Sequence, residues 1–165
     1  MGGDAIVHAA RRLGDQVAGL VWVDVFRSLG TEPQSSPEEV DAFLAPFRDD
    51  FEAAVQRFVC NMAGEATDGD LVGQIAASMA AAPREAALGC LRYARNRQPP
   101  IIAALPHIAA PIVAINPDNG PTDIDSMRRH RVEPVVLEGV GHFLMIEAPD
   151  RFNPVLAATL ASFGD

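Results

Sequence analysis

The sequence predicts an α/β protein: a partial parallel sheet of about three strands, with helices inserted between the first strand and the second. Three observations lead there. Continuous apolar runs rich in β-branched residues, Val17–Val23 and Pro111–Ile115, suit strands buried on both faces of a parallel sheet. Helical patterns stand between the strand signals, as crossovers between parallel strands require. A long middle stretch carries helical patterns with no strand among them.

In chain order, residues 4–13 read as a helix, with apolar residues three and four apart and Gly14 as a stop. The first strand follows over 17–24 and ends in Asp24. Residues 26–37 read as a loop containing Gly, Pro and a Ser pair. Ser36-Pro37-Glu38-Glu39 is a helix start: a Ser cap, Pro in the first turn, then acids at the positive end of the dipole. Helices are expected over 38–62, 68–80 and 83–96, and Pro99-Pro100 is expected to break the run. Phe43, Phe47 and Phe51 recur every four residues, the spacing of one packed helix face. A second strand is expected at 108–115, a loop at 116–121, a helix at 122–129, a third strand at 133–137 and a closing helix at 151–163. The division is then a core of 1–27 and 98–165 with a helical insertion at 28–97. Three strands leave an apolar sheet edge uncovered.

Composition bounds the function. The 165 residues fit one domain, with 48% hydrophobic and 21% charged residues. A net charge of −9, from 13 basic and 22 acidic residues, argues against nucleic acid and anionic membrane surfaces as partners. No apolar run approaches the ~20 residues that cross a bilayer, and the first residues carry no secretory pattern. Cys60 and Cys90 stand alone and read as two reduced core thiols, so a cytoplasmic protein is expected. No metal-ligand spacing and no phosphate-binding glycine loop is present; the expected partner is a small-molecule substrate.

His142 is the leading candidate for chemistry. In Gly139-Val140-Gly141-His142-Phe143 the glycines permit a tight turn after a strand. The histidine then stands at the carboxyl end of a parallel sheet, where α/β folds place ligands. A base there needs a carboxylate to fix its tautomer. Two fit: Asp118, in the turn Pro117-Asp118-Asn119-Gly120, and Asp24, at the end of the first strand.

The segment from Gly139 through Glu147, Pro149, Phe152 and Asn153 resembles the C-terminal segment of the α/β-hydrolase fold family. Met1-Gly2-Gly3 is similar to the last three positions of that family's nucleophile elbow, G-x-S-x-G-G. The resemblance covers nearly the whole chain. It implies Ser-His-Asp hydrolysis of a small ester-like substrate without a cofactor, with His142 as base and Asp118 or Asp24 as acid. It also implies that residues 28–97 form a lid, that the backbone nitrogen of Met1 belongs to the oxyanion hole, and that Phe26 and Phe143 touch substrate. The serine would directly precede Met1, and none of the chain's serines lies in a G-x-S-x-G context. The expectation is therefore a chain with base and acid but no nucleophile, inactive alone. A missing N-terminal portion or a homodimer would cover the open sheet edge. The alternative is a non-catalytic small-molecule-binding or self-associating module of the same descent.

Overall fold

The computed structural model describes residues 1–30 and 33–164; Thr31 and Glu32, within the predicted 26–37 loop, and Asp165 lie outside the described residues. Helix α1 spans Gly2–Leu13, with Asp4 in its first turn and Arg11 and Arg12 in its last, charges that suit the helix dipole. Gly14, at φ 57°, ends it. Strand β1 is Leu20–Val23, shorter than expected.

The helical insert departs from the sequence reading in two places. The predicted helix over 38–62 is two helices, α2 (Pro37–Asp49) and α3 (Phe51–Met62). Asp50 divides them: its backbone is extended and its carboxylate accepts from the Ala53 amide, capping α3. The expected start of α2 is present as a full capping box, Ser36 Oγ accepting from Glu39 N while Glu39 Oε2 accepts from Ser36 N. Helices α4 (Gly69–Ala80) and α5 (Arg84–Ala94) follow as predicted. Pro99-Pro100 is not a break; the pair opens α6 (Gln98–Ala104), where a missing N–H costs nothing.

Strand β2 (Ile112–Pro117) runs two residues past its predicted end. It is followed by α7 (Ile124–Arg129), β3 (Val132–Leu137), the short α8 (Leu144–Glu147) and α9 (Pro149–Ala161). Asp123 caps α7, accepting from Ser126 N. The sheet is parallel throughout, in the order β1-β2-β3, with Leu20 beside Ile112 and Ile112 beside Val132. Leu20 and Asp24 donate their amides toward β2, so Val21 and Val23 turn their backbone groups to the other side. No described strand pairs with β1 there.

Both sheet faces are packed. Val7, Trp22, Ile101, Ala114, Met127 and Val132 bury one face under α1 and α6, and Ile115, Val140, Leu144 and Phe152 bury the other. The insert has its own core, where Phe47 and Val59 meet Val55, Val72 and Ala76, and the Phe58 ring packs edge to face with those of Phe43 and Phe47. These aromatics are packing residues, while Tyr93 and Met79 are exposed. Cys60 corrects the expectation of core thiols: it is exposed on α3, and neither cysteine is in a disulfide. No described helix is long and apolar enough to cross a membrane.

Candidate active site

The parallel sheet brings the ends of β1, β2 and β3 to one edge of the molecule, and each supplies a residue to the site. Asp24 is the first residue beyond β1 and takes a left-handed backbone, φ 44°. Such a conformation in a residue other than glycine costs about 1–3 kcal/mol and persists only when the surroundings hold it. They do. Arg27 Nε donates to Asp24 Oδ1 at 3.0 Å and its Nη2 to Oδ2 at 3.2 Å. Asp24 Oδ2 also lies 2.7 Å from His142 Nδ1.

The Asp24 side chain is only 7% exposed and that of His142 40%. Burial pushes the Asp24 carboxyl up, but hydrogen bonds from His142 and then Arg27 outweigh it, so the group sits below the ordinary carboxylate range. An ionised carboxylate only accepts. In the neutral His142 ring the proton therefore sits on Nδ1, facing Asp24, which leaves Nε2 as the acceptor.

Asp118, beyond β2, is exposed, and its Oδ1 accepts from the Gly139 amide at 2.7 Å. It thus fixes the turn before His142, where Gly139 has φ 66°, while the ring's hydrogen-bond partner is Asp24. Asn119 beside it accepts from Arg27 Nη2 at 2.5 Å, tying the β2 loop to the Asp24 cluster.

The His142 loop is held equally closely. The His142 amide donates to Met62 O at 2.8 Å. Glu147 accepts from Gly141 N at 2.8 Å and Phe143 N at 3.0 Å, and also from Gly64 N and Thr67 Oγ1 in the loop joining α3 to α4. Burial raises the Glu147 carboxyl, yet the bonds from Thr67, Gly141, Gly64 and Phe143 together leave it below its ordinary value. Sequence reasoning gave no role to Arg27, Asn119 or Glu147. Arg27 stands three residues past Asp24, the only spacing signal available; the partners of Asn119 and Glu147 are remote in sequence.

The remaining predicted residues lie as follows. Phe143 packs edge-on against the His142 ring, centroids 5.2 Å apart, and touches the core of the insert. Phe26 is buried against Trp22, with the Arg97 guanidinium over its ring, and it lines a cavity of about 950 Å³ with Arg27, Arg95, Arg97 and Ile102. Met1 is exposed; its ammonium stands 3.6 Å from Asp4 Oδ2 and its carbonyl accepts from the Asp4 and Ala5 amides. Ser36 caps α2. The Ser126 hydroxyl is buried between Asp123 O and Leu29 N, and that of Ser162 donates to Thr159 O.

No known family model matches the chain, and no curated protein does. Solved structures do. An esterase from Thermogutta terrifontis superposes with a TM-score of 0.74 at 18% identity, over 98% of this chain and 62% of its own. An esterase from Exiguobacterium antarcticum gives 0.72 at 14% identity, over 93% and 62%. A bromoperoxidase from Bacillus anthracis gives 0.73 at 15% identity, over 93% and 63%. The chain has the α/β-hydrolase fold. It spans under two thirds of the length of these structural neighbours.

Proposed function

We propose that this chain carries the acid–base half of an α/β-hydrolase active site, with His142 as general base and Asp24 as the acid that orients it. The observation that carries the reading is the 2.7 Å contact from His142 Nδ1 to Asp24 Oδ2. With a serine hydroxyl presented to Nε2, the base takes its proton as the oxygen attacks an ester carbonyl. The imidazolium, steadied by the Asp24 carboxylate, returns that proton to the leaving alcohol. Water repeats the cycle to release the acid. No cofactor takes part. Phe143 and the cavity beside Phe26 are the proposed substrate surface, and the α2–α5 helices the lid over it. The Met1 nitrogen serves as an oxyanion donor where it is a peptide amide.

The nucleophile is not among the serines of this sequence in any elbow context. On this reading the 165-residue chain alone has no serine-hydrolase turnover, and activity requires a form that also carries an elbow serine. We place that form in the cytoplasm. The test is the intact mass and N-terminal sequence of the native protein, with hydrolysis of a short-chain nitrophenyl ester assayed on both forms. The expected result is turnover in the longer form only, abolished by a serine-directed phosphonate and by His142→Ala. Phosphonate-sensitive turnover in homogeneous 165-residue chain overturns the assignment.

The unpaired side of β1 favours a second reading, a self-associating or ligand-binding module. It predicts a mass that doubles with concentration and no esterase activity in any form.

A further inference from the structure

Glu147 lies outside the acid–base pair, yet it is the most heavily engaged carboxylate beside it. Its Oε2 accepts from Gly64 N at 3.0 Å, Thr67 Oγ1 at 2.7 Å and Gly141 N at 2.8 Å, and its Oε1 accepts from Phe143 N at 3.0 Å. Two donors come from the α3–α4 loop of the insert and two from the residues flanking His142. The amide of His142 itself goes to Met62 O, at the start of that same loop. The amides of 141, 142 and 143 thus all end on Glu147 or the insert.

The packing leaves no slack. A Cβ on Gly141 would collide with the backbone of Met62, Ala63 and Gly64. A Cβ on Gly64 would stand 2.8 Å from Glu147 Oε2 and 2.9 Å from Gly141 N. A second path closes the circuit from the acid's side. Asn119 Nδ2 donates to the same Met62 carbonyl at 3.0 Å, while Asn119 Oδ1 accepts from Arg27, which holds Asp24. From Met62 the hydrogen bonds run through Asn119, Arg27 and Asp24 to the His142 ring, and back through the His142 amide to Met62.

We infer that Glu147 is a positioning residue that locks the α3–α4 loop to the His142 loop, so that docking of the helical insert and alignment of His142 with Asp24 form one coupled unit. The inference rests on His142 being the base. A carboxylate suits the task because it offers acceptors on two oxygens to donors arriving from two segments, and its charge strengthens each bond. An amide at the same place would turn hydrogens toward amide donors. The consequence is that a disturbance of the insert loop reaches the base through Glu147 without touching substrate.

The test is proton NMR of the 165-residue chain. It reads the downfield resonance of the His142 Nδ1–H that bonds Asp24, and amide exchange at Gly141 and Phe143. In Glu147→Gln the resonance is lost and exchange at both amides rises about tenfold or more, the scale of a lost bond to a charged group. In Thr67→Val, which removes one donor of the insert, the same amides exchange faster by a smaller factor. Glu147→Asp, which keeps the charge, restores part of the effect. A folded Glu147→Gln protein, judged by circular dichroism and Trp22 fluorescence, with unchanged resonance and exchange overturns the inference. If Glu147→Gln does not fold, Thr67→Val decides: unchanged exchange at Gly141 overturns the coupling. None of these signals needs turnover. Loss of the hydrolase reading would leave them as stated, and their failure would leave that reading standing.

Discussion

His142 Nδ1 meets Asp24 Oδ2 across the width of the sheet: the two residues are 118 positions apart and follow β3 and β1, which flank β2 without touching each other. The Asp24 side chain reaches over the end of β2 to do so. The first prediction is for Asp24→Asn. It removes the ionised partner, allows the other imidazole tautomer and leaves the Arg27 guanidinium facing a neutral amide with one acceptor oxygen in place of two. In the form with a nucleophile, kcat falls by several orders of magnitude, on the order of 10⁴-fold. Stability falls by about 1–3 kcal/mol. Steady-state kinetics and urea melts check the two separately.

Asp118→Ala tests the other candidate. Its carboxylate is exposed and holds only the Gly139 amide. The expected result is a stability loss of about 1 kcal/mol or less and kcat within about tenfold of the parent, since only the turn before His142 loosens. A loss matching that of Asp24→Asn would return the acid's role to Asp118.

Acid should unfold the protein through Asp24 and Glu147. Both carboxyls sit below their ordinary values, 3.8 and 4.5, in the folded state. The unfolded chain then binds more protons in that region, so stability is full above these values and declines as pH falls through the lowered folded ones. The thermal midpoint is expected to be flat from neutral pH to about 5 and to drop steeply below about 4. Glu147→Gln should flatten the acid limb. Asp41 and Glu133, held low by Arg48 and Arg92 and by Arg128, are exposed, and salt screens their share. The limb that survives high salt belongs to the partly buried pair.

Gly141→Ala places a methyl group against the backbone of Met62 to Gly64. Backbone cannot give way as a side chain can, so a loss of about 1–3 kcal/mol is expected, with the α3–α4 loop the first segment to exchange. Gly139→Ala, at φ 66° but in open surroundings, should cost only about 1 kcal/mol. Equal losses at the two sites would mean that the loops are not in contact.

The strands were legible because β-branched apolar runs have one common use in a chain of this composition, and β1, β2 and β3 fall where those runs are. The division at Asp50 was not: apolar spacing continues through Phe47 and Phe51 on both sides of it, and one carboxylate cap separates the helices. Pro99-Pro100 misled because proline ends one helix and begins another with equal ease. His142 showed itself through flanking glycines. The choice between Asp24 and Asp118 did not, because it depends on a left-handed backbone at Asp24 and on Arg27 bridging two loops. Glu147 was visible as a residue but silent as a partner, with Gly64 lying 83 positions away.

The placement of the insert has a kinetic consequence. Leu20 and Ile112 are sheet neighbours, yet α2 to α6 lie between them in the chain. The β1–β2 pairing must close that long loop before its contacts repay the entropy, which makes it a slow step. The α3–α4 hairpin and the β2–α7–β3 unit are local and can form early. Refolding should therefore show two phases by different probes: helical signal gained first, and burial of Trp22 on β1 last.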